Sequence, residues 1–187
     1  MQDLSLSVLD LAQNSIRAQS TWVRIELDFA EDWLTVRISD NGCGMDEIQR
    51  AKALSSFYTT KRQGRGGMGL PLFRRACERT GGGVSLKSAP GKGTAVEGVL
   101  CTGRSGCPPF GNMGETMAAL IASNSEIRFS LTVSRESRAF RFDTDRIKEE
   151  LQGVPLGTPE IVIFLTQYIE EQTQIIRGGA KENEKSC

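Results

Sequence analysis

Asp10, Asn14 and Arg17 stand at positions i, i+4 and i+7 of a segment with three-to-four apolar spacing, so a helix would carry them on one stripe. A carboxylate, an amide and a guanidinium on one face suit a water, a Mg²⁺ ion and a phosphate respectively. The same stripe is also what the solvated side of an ordinary amphipathic helix presents. A second group is Asp40-Asn41-Gly42-Cys43-Gly44. Asp40 has the strand parity of Leu34, Val36 and Ile38, so its carboxylate points toward the core. A carboxylate there needs a buried partner, which a ligand N–H such as the adenine amino group would supply. Gly42 and Gly44 would let the backbone turn sharply and approach a flat ligand. The competing reading, a plain Asn-Gly hairpin turn, does not account for that parity.

The third group, Gly64-Arg65-Gly66-Gly67-Met68-Gly69, runs into a helix. It fits G-x-G-x-x-G, but a basic loop precedes it and a hairpin follows, so the strand and acidic residue of a dinucleotide-binding unit are missing. Gly91-Lys92-Gly93-Thr94 does not complete a Walker loop. What remains is a glycine-rich helix N-terminus, with free N–H groups and a positive dipole end for phosphate, or else a flexible connection.

The elements that must hold these residues follow from periodicity. A helix is predicted over Ser5–Ala18, and alternating strands over Trp22–Phe29 and Trp33–Ser39. Asp46 caps a short helix through Leu54. The polar, basic stretch at about 55 to 68 reads as a mobile lid. Gly69 opens a helix to about Arg79 with Pro71 in its first turn, and Val84–Ser88 with Thr94–Cys101 forms a hairpin. Residues 103–111, with Pro108-Pro109 and three glycines, read as a linker. Residues 112–178 then read as a small α+β module: a helix near Glu115–Ala122, a hairpin of Glu126–Val133 and Arg138–Phe142, a short helix over Asp145–Leu151, and a last helix capped by Thr158 with Pro159 in first position. Residues 179–187 read as a disordered tail.

Composition narrows the function classes. Lys plus Arg equals Asp plus Glu, at 23 each, so no global field favours nucleic acid or an anionic membrane. No stretch reaches a membrane-spanning length and no signal peptide is read, which leaves the cytoplasm as the expected location. The five cysteines form no C-x-x-C pair and read as reduced thiols. The chain contains no histidine, which excludes a His base, a His-dependent triad and a phospho-accepting His within it.

In this order and spacing the three groups resemble the GHKL ATPase family of histidine kinases, gyrase-type topoisomerases, MutL mismatch-repair proteins and heat-shock chaperones. Phe57-Tyr58-Thr59-Thr60-Lys61 followed by Gly67-Met68-Gly69-Leu70 looks like the histidine-kinase lid and glycine box. Ser88-Ala89-Pro90-Gly91-Lys92-Gly93-Thr94 is similar to the closing S-x-x-G-x-G-T hairpin. The resemblance covers about residues 4 to 102 and implies a two-layer α/β sandwich, a mixed sheet with helices on one face, binding ATP with Mg²⁺. It implies that Asn14 coordinates Mg²⁺, Arg17 contacts phosphate, Asp40 binds the adenine amino group with Gly44 packed against the ring and Gly42 in the same cofactor-binding loop, and Lys61 lies in the lid. It further implies that Gly67 and Gly69 cradle phosphates, that Leu70 beside them belongs to the cofactor site, and that Thr94 helps hold the adenine side. Asp10 stands where ATP-hydrolysing members carry a Glu base; one methylene shorter, it implies slow hydrolysis.

Three functions compete on this basis. One is a kinase acting in trans on a partner protein's Ser, Thr or His, as a histidine-kinase-like module without its own phospho-acceptor. Another is an ATPase switch whose lid closure reshapes a docking surface. The last is a regulatory nucleotide-binding module with little turnover. A homodimer is compatible with each, and a nucleic-acid or membrane partner is not expected.

Overall fold

Strands with one apolar face need helices to cover that face, and the chain supplies both in alternation. The computed structural model describes residues 3–54 and 69–178. The elements are α1 (Leu4–Arg17), β1 (Trp22–Ala30), β2 (Trp33–Asp40), α2 (Glu47–Ala53), α3 (Gly69–Arg79), β3 (Gly83–Ser88), β4 (Thr94–Cys101), α4 (Met113–Ser123), β5 (Arg128–Arg135), β6 (Arg138–Asp143), α5 (Thr144–Glu150) and α6 (Pro159–Gly178). Among the described residues six strands form one sheet, ordered β3-β4-β2-β1-β5-β6. Only β1 and β5 run parallel; the other neighbours are antiparallel, so the sheet is mixed.

One face of the sheet is apolar and covered. Val23, Ile25 and Leu27 of β1, Leu34, Val36 and Ile38 of β2, and Phe129, Leu131 and Val133 of β5 are buried in a single cluster with Val8, Leu11, Phe73, Met117 and Leu165 from the helices. Burial alternates along β1 and β2 as the period-2 pattern requires. The opposite face carries charge, including Arg37 of β2 flanked by Glu26 and Glu97. Gly98 in β4 lets α3 lie close: a Cβ there would run into the ring of Phe73.

The chain does not part at 103–111 into two sheets or two cores. Residues 128–135, read from the sequence as part of a separate module, pair with β1 from Trp22↔Arg128 to Phe29↔Arg135. The physical reason is the edge of β1, whose N–H and C=O groups would otherwise stand unpaired. The Gly- and Pro-rich segment is fixed in place as well. Leu4 N–H donates to the carbonyl of Pro109 at 2.8 Å and Ser5 N–H to that of Phe110 at 2.9 Å.

α4 crosses α6 at Gly114, where a side chain would run into the carbonyl of Thr166. Glu170 of α6 accepts N–H bonds from Met113 at 2.8 Å and Gly114 at 3.2 Å, so one helix caps the start of the other. No helix among the described residues is long and apolar enough to cross a membrane. The expected lid falls at 55–68 and the expected tail at 179–187, both outside the described residues.

Candidate nucleotide site

The end of the sheet where β2 finishes and β4 begins gathers most of the chemistry-bearing residues. Asp40 closes β2 on its inward parity and is 7% exposed. Its carboxylate accepts three hydrogen bonds: Ser15 Oγ–H to Oδ2 at 2.6 Å, Gly42 N–H to Oδ1 at 2.9 Å, and Thr94 N–H to Oδ1 at 3.2 Å. The donors come from α1, from the loop after β2 and from β4, so one side chain ties three elements together. The partner demanded by burial is thus met first by the protein itself. A carboxylate offers about four lone-pair positions, so room for about one further donor remains.

The loop after β2 hooks onto the end of α1. Cys43 N–H donates to the carbonyl of Ala18 at 2.8 Å, and a Cβ on Gly42 would lie 2.6 Å from that same oxygen. Gly44 has φ of +68°, and a side chain there would collide with the carbonyl of Ala89 in the β3–β4 turn. Asn41 faces the other way and fastens the start of β1, its Oδ1 accepting from Thr21 N–H at 2.9 Å and Trp22 N–H at 3.1 Å.

On the β4 side, Ser88 Oγ lies 3.0 Å from Thr94 Oγ1, donates to the carbonyl of Gly93 at 2.9 Å, and accepts from Met45 N–H at 2.8 Å. This network closes the S-x-x-G-x-G-T hairpin against the loop of Gly42 and Gly44. A cleft of about 500 Å³ reaches Asp40 beside it, with Trp22, Arg50, Ser88, Lys92 and Thr94 among its walls.

The α1 stripe forms as its spacing requires. Asn14 and Arg17 are exposed and Asp10 is half-buried. Arg17 Nη1 donates to Asn14 Oδ1 at 2.9 Å and Nη2 to Gln13 Oε1 at 3.4 Å. The amide oxygen expected to face a cation therefore already faces a cationic group. Such an exposed bond is worth about 1 kcal/mol and yields readily to a stronger ligand.

Gly69, the first residue of α3, abuts Asp10: a Cβ there would sit 2.7 Å from Asp10 Cβ. The N-terminus of α3 is thus held beside the carboxylate of α1, and Leu70 next to it is buried in the core. Lys61 and Gly67 lie outside the described residues. Among the described residues no group of three or more His, Cys, Asp or Glu could hold a metal by itself.

Ser15 was missing from the sequence-based site, and Ser88 entered only as the first residue of the hairpin motif, without a role. Ser15 belongs to the buried face of α1 with Val8, Leu11 and Ala12, and there a small serine reads as core filler. The available signal was that a buried hydroxyl must find a partner, and an inward-facing acid on the adjoining strand is one.

Residues 2–102 match the model of the histidine kinase-, DNA gyrase B- and HSP90-like ATPase family. Sensor protein DegM of Bacillus sp. (strain B21-2) is 36% identical over 92 residues, covering 48% of this chain and 24% of that protein. A putative sensor protein of Shewanella frigidimarina is 32% identical over 99 residues, covering 51% of this chain and 15% of that protein. The signal transduction histidine-protein kinase AtoS of Escherichia coli (strain K12) is 30% identical over 96 residues, 50% of this chain and 16% of that protein. The chain thus spans a quarter or less of the length of these relatives. A crystal structure of the N-terminal domain of a DNA repair protein superposes with a TM-score of 0.50 at 17% identity, covering 75% of this chain and 52% of that one, which is a likeness of fold alone.

Proposed function

The chain belongs to the histidine kinase-, DNA gyrase B- and HSP90-like ATPase family, and from that premise we propose that it binds ATP with Mg²⁺ and passes the γ-phosphoryl group to a partner protein. The observation that carries this reading is the buried Asp40 carboxylate, aligned by Ser15, Gly42 and Thr94. Three fixed donors hold it as an acceptor in one orientation. The adenine amino group is a donor that would use its remaining capacity, whereas guanine presents a carbonyl at that position.

The α1 stripe fits the phosphate end. Asn14 Oδ1 is an uncharged hard oxygen already facing a guanidinium, which suits Mg²⁺, an ion that takes few protein ligands and keeps several waters. The ion's contribution would be to neutralise charge on the phosphate oxygens. Arg17, released from Asn14, would turn to phosphate. The start of α3 at Gly69 offers N–H groups to the same oxygens. Asp10, beside it, would orient the attacking group and accept its proton; its short side chain supports slow transfer to water. With no histidine in the sequence, a phospho-accepting histidine would lie outside these 187 residues.

The contact of Gly69 with Asp10 favours a second reading, an ATPase switch. A nucleotide drawn against the start of α3 would press on α1 and shift the packing of α3.

Calorimetry of the full chain with ATP and GTP, each with Mg²⁺, tests the binding. ATP should bind and GTP should not; equal affinities would remove Asp40 from base recognition. Incubation with γ-labelled ATP and proteins that co-purify with the chain tests the transfer. Label recovered on a co-purifying protein supports the kinase, and label recovered only as free phosphate supports the switch.

A further inference from the structure

At the far end of the sheet from Asp40 lies a second cleft, of about 520 Å³. Its floor is the ends of the core strands, Phe29, Leu34 and Leu100, with Leu4 of α1. The site end of β2 is six residues from Leu34, about 20 Å along the strand, so a molecule in this cleft would not touch the nucleotide residues.

Two guanidinium groups, from Arg135 and Arg177, line the walls. Arg177 lies 3.7 Å above the centre of the Phe110 ring, which packs in turn against Phe29 at 5.9 Å. Arg135 Nη1 donates to the backbone carbonyl of Arg177 at 2.6 Å, which fixes its direction. Among the described residues neither guanidinium forms an ion pair with a carboxylate. Both are half-buried. A cation drawn partly out of water, with a ring face below it and donors to spare, is best satisfied by an anionic oxygen. Glu31 and Asp32, in the β1–β2 turn, form part of the rim. Their charge disfavours a polyanion such as a nucleotide, while leaving a single negative charge against two arginines attractive.

We propose that this cleft binds a small organic monocarboxylate with an aromatic or aliphatic body, the carboxylate held by Arg135 and Arg177 and the body lying on Phe29 and Phe110. The size lies within the range of small-molecule pockets, and the lining joins a small apolar floor to a larger share of polar surface, as a charged ligand requires. The volume accommodates a two-ring acid.

The test uses 2-naphthoate and its neutral analogue 2-naphthamide as probes, titrated calorimetrically into the full chain at neutral pH. The expected result is one 2-naphthoate per chain, with the amide weaker by about tenfold or more, the equivalent of one charge-assisted bond. Arg135→Gln and Arg177→Gln should each weaken the acid by a similar factor and leave the amide unchanged. Arg177→Lys should recover part of the loss by restoring the charge without the fork. Saturating ATP should leave 2-naphthoate binding in place. Equal affinity for acid and amide, absence of saturable binding, displacement by ATP, or indifference to both Gln variants would each overturn the assignment. If Arg177→Gln fails to give a cooperative melt, Arg135→Gln decides.

Discussion

On the proposed function Asp40 carries two demands at once: it must stay in place without a ligand and still have something left to offer one. Its three protein donors meet the first. The substitution Asp40→Asn separates the two. The amide oxygen can keep the bonds from Gly42 and Thr94, and the new NH₂ group can donate to Ser15, whose hydroxyl can reverse its role. We expect the variant to melt as a folded protein, with stability within about 1 kcal/mol of the parent, and to bind ATP roughly 10- to 150-fold more weakly, the worth of a bond to a charged acceptor. Normal ATP affinity in calorimetry would contradict the role, and so would simple unfolding. Asn14→Ala should remove the gain in affinity that Mg²⁺ brings; titrations with and without Mg²⁺ that change equally for mutant and parent would contradict that. At this scale the sequence was informative wherever parity or helical spacing constrains a side chain. It pointed Asp40 inward and set Asp10, Asn14 and Arg17 on one stripe. It did not reveal Ser15 as Asp40's partner, because their contact joins two elements across 25 positions and nothing local encodes the pairing.

Among the elements, the joint between α4 and α6 and the hairpin of β5 and β6 are the most exposed to single changes. Gly114→Ala would push a methyl into the carbonyl of Thr166 and disturb the bonds to Glu170. Over-packing of this kind costs about 1–3 kcal/mol, to be read as a lower urea midpoint with unchanged slope. In the hairpin, Asp143 receives Arg128 at 2.7 Å and caps α5 by accepting from Asp145 N–H at 3.0 Å. Burial alone would raise its pKa, but the bonds from Arg128 and from the Asp145 backbone outweigh it and hold the carboxyl below its ordinary value. A depressed carboxylate stabilises the fold above its unfolded pKa, about 3.9, and that contribution is lost as pH falls through the lower folded value. Asp143→Asn should therefore lower the melting temperature at pH 7, and the difference from the parent should shrink below about pH 4. A difference that stays constant with pH would show that charge is not the source. Strand and helix positions were readable because alternation and capping are local; the crossing at Gly114 was not, since a glycine inside a helix says nothing about which partner lies against it.

At the scale of the whole molecule, the family motifs end near residue 102 but the sheet does not. A chain cut near Gly103 would keep every residue proposed to contact nucleotide, yet β1 would lose β5 and α1 would lose the segment at Pro109 and Phe110. We expect that fragment to be insoluble or unable to bind ATP. A soluble, ATP-binding fragment would show instead that residues 112–178 are an accessory to a self-sufficient fold. The sequence could not show this, because parallel pairing between distant strands leaves no local signature and a Gly- and Pro-rich stretch has a linker's composition wherever it is packed. The same pairing sets a timetable during synthesis. Asp28 and Ser134, joined across β1 and β5, are 106 positions apart. At about 5–20 residues per second a ribosome needs on the order of 5 to 20 s to deliver the second after the first. In the last part of that interval, once Thr94 has been made, the nascent chain holds every residue proposed to contact nucleotide beside an unpaired strand edge, the kind of surface on which chains aggregate. Closure of so long a loop also makes this the slow contact in folding. Newly made protein should therefore depend on chaperones most strongly while β5 is still inside the ribosome.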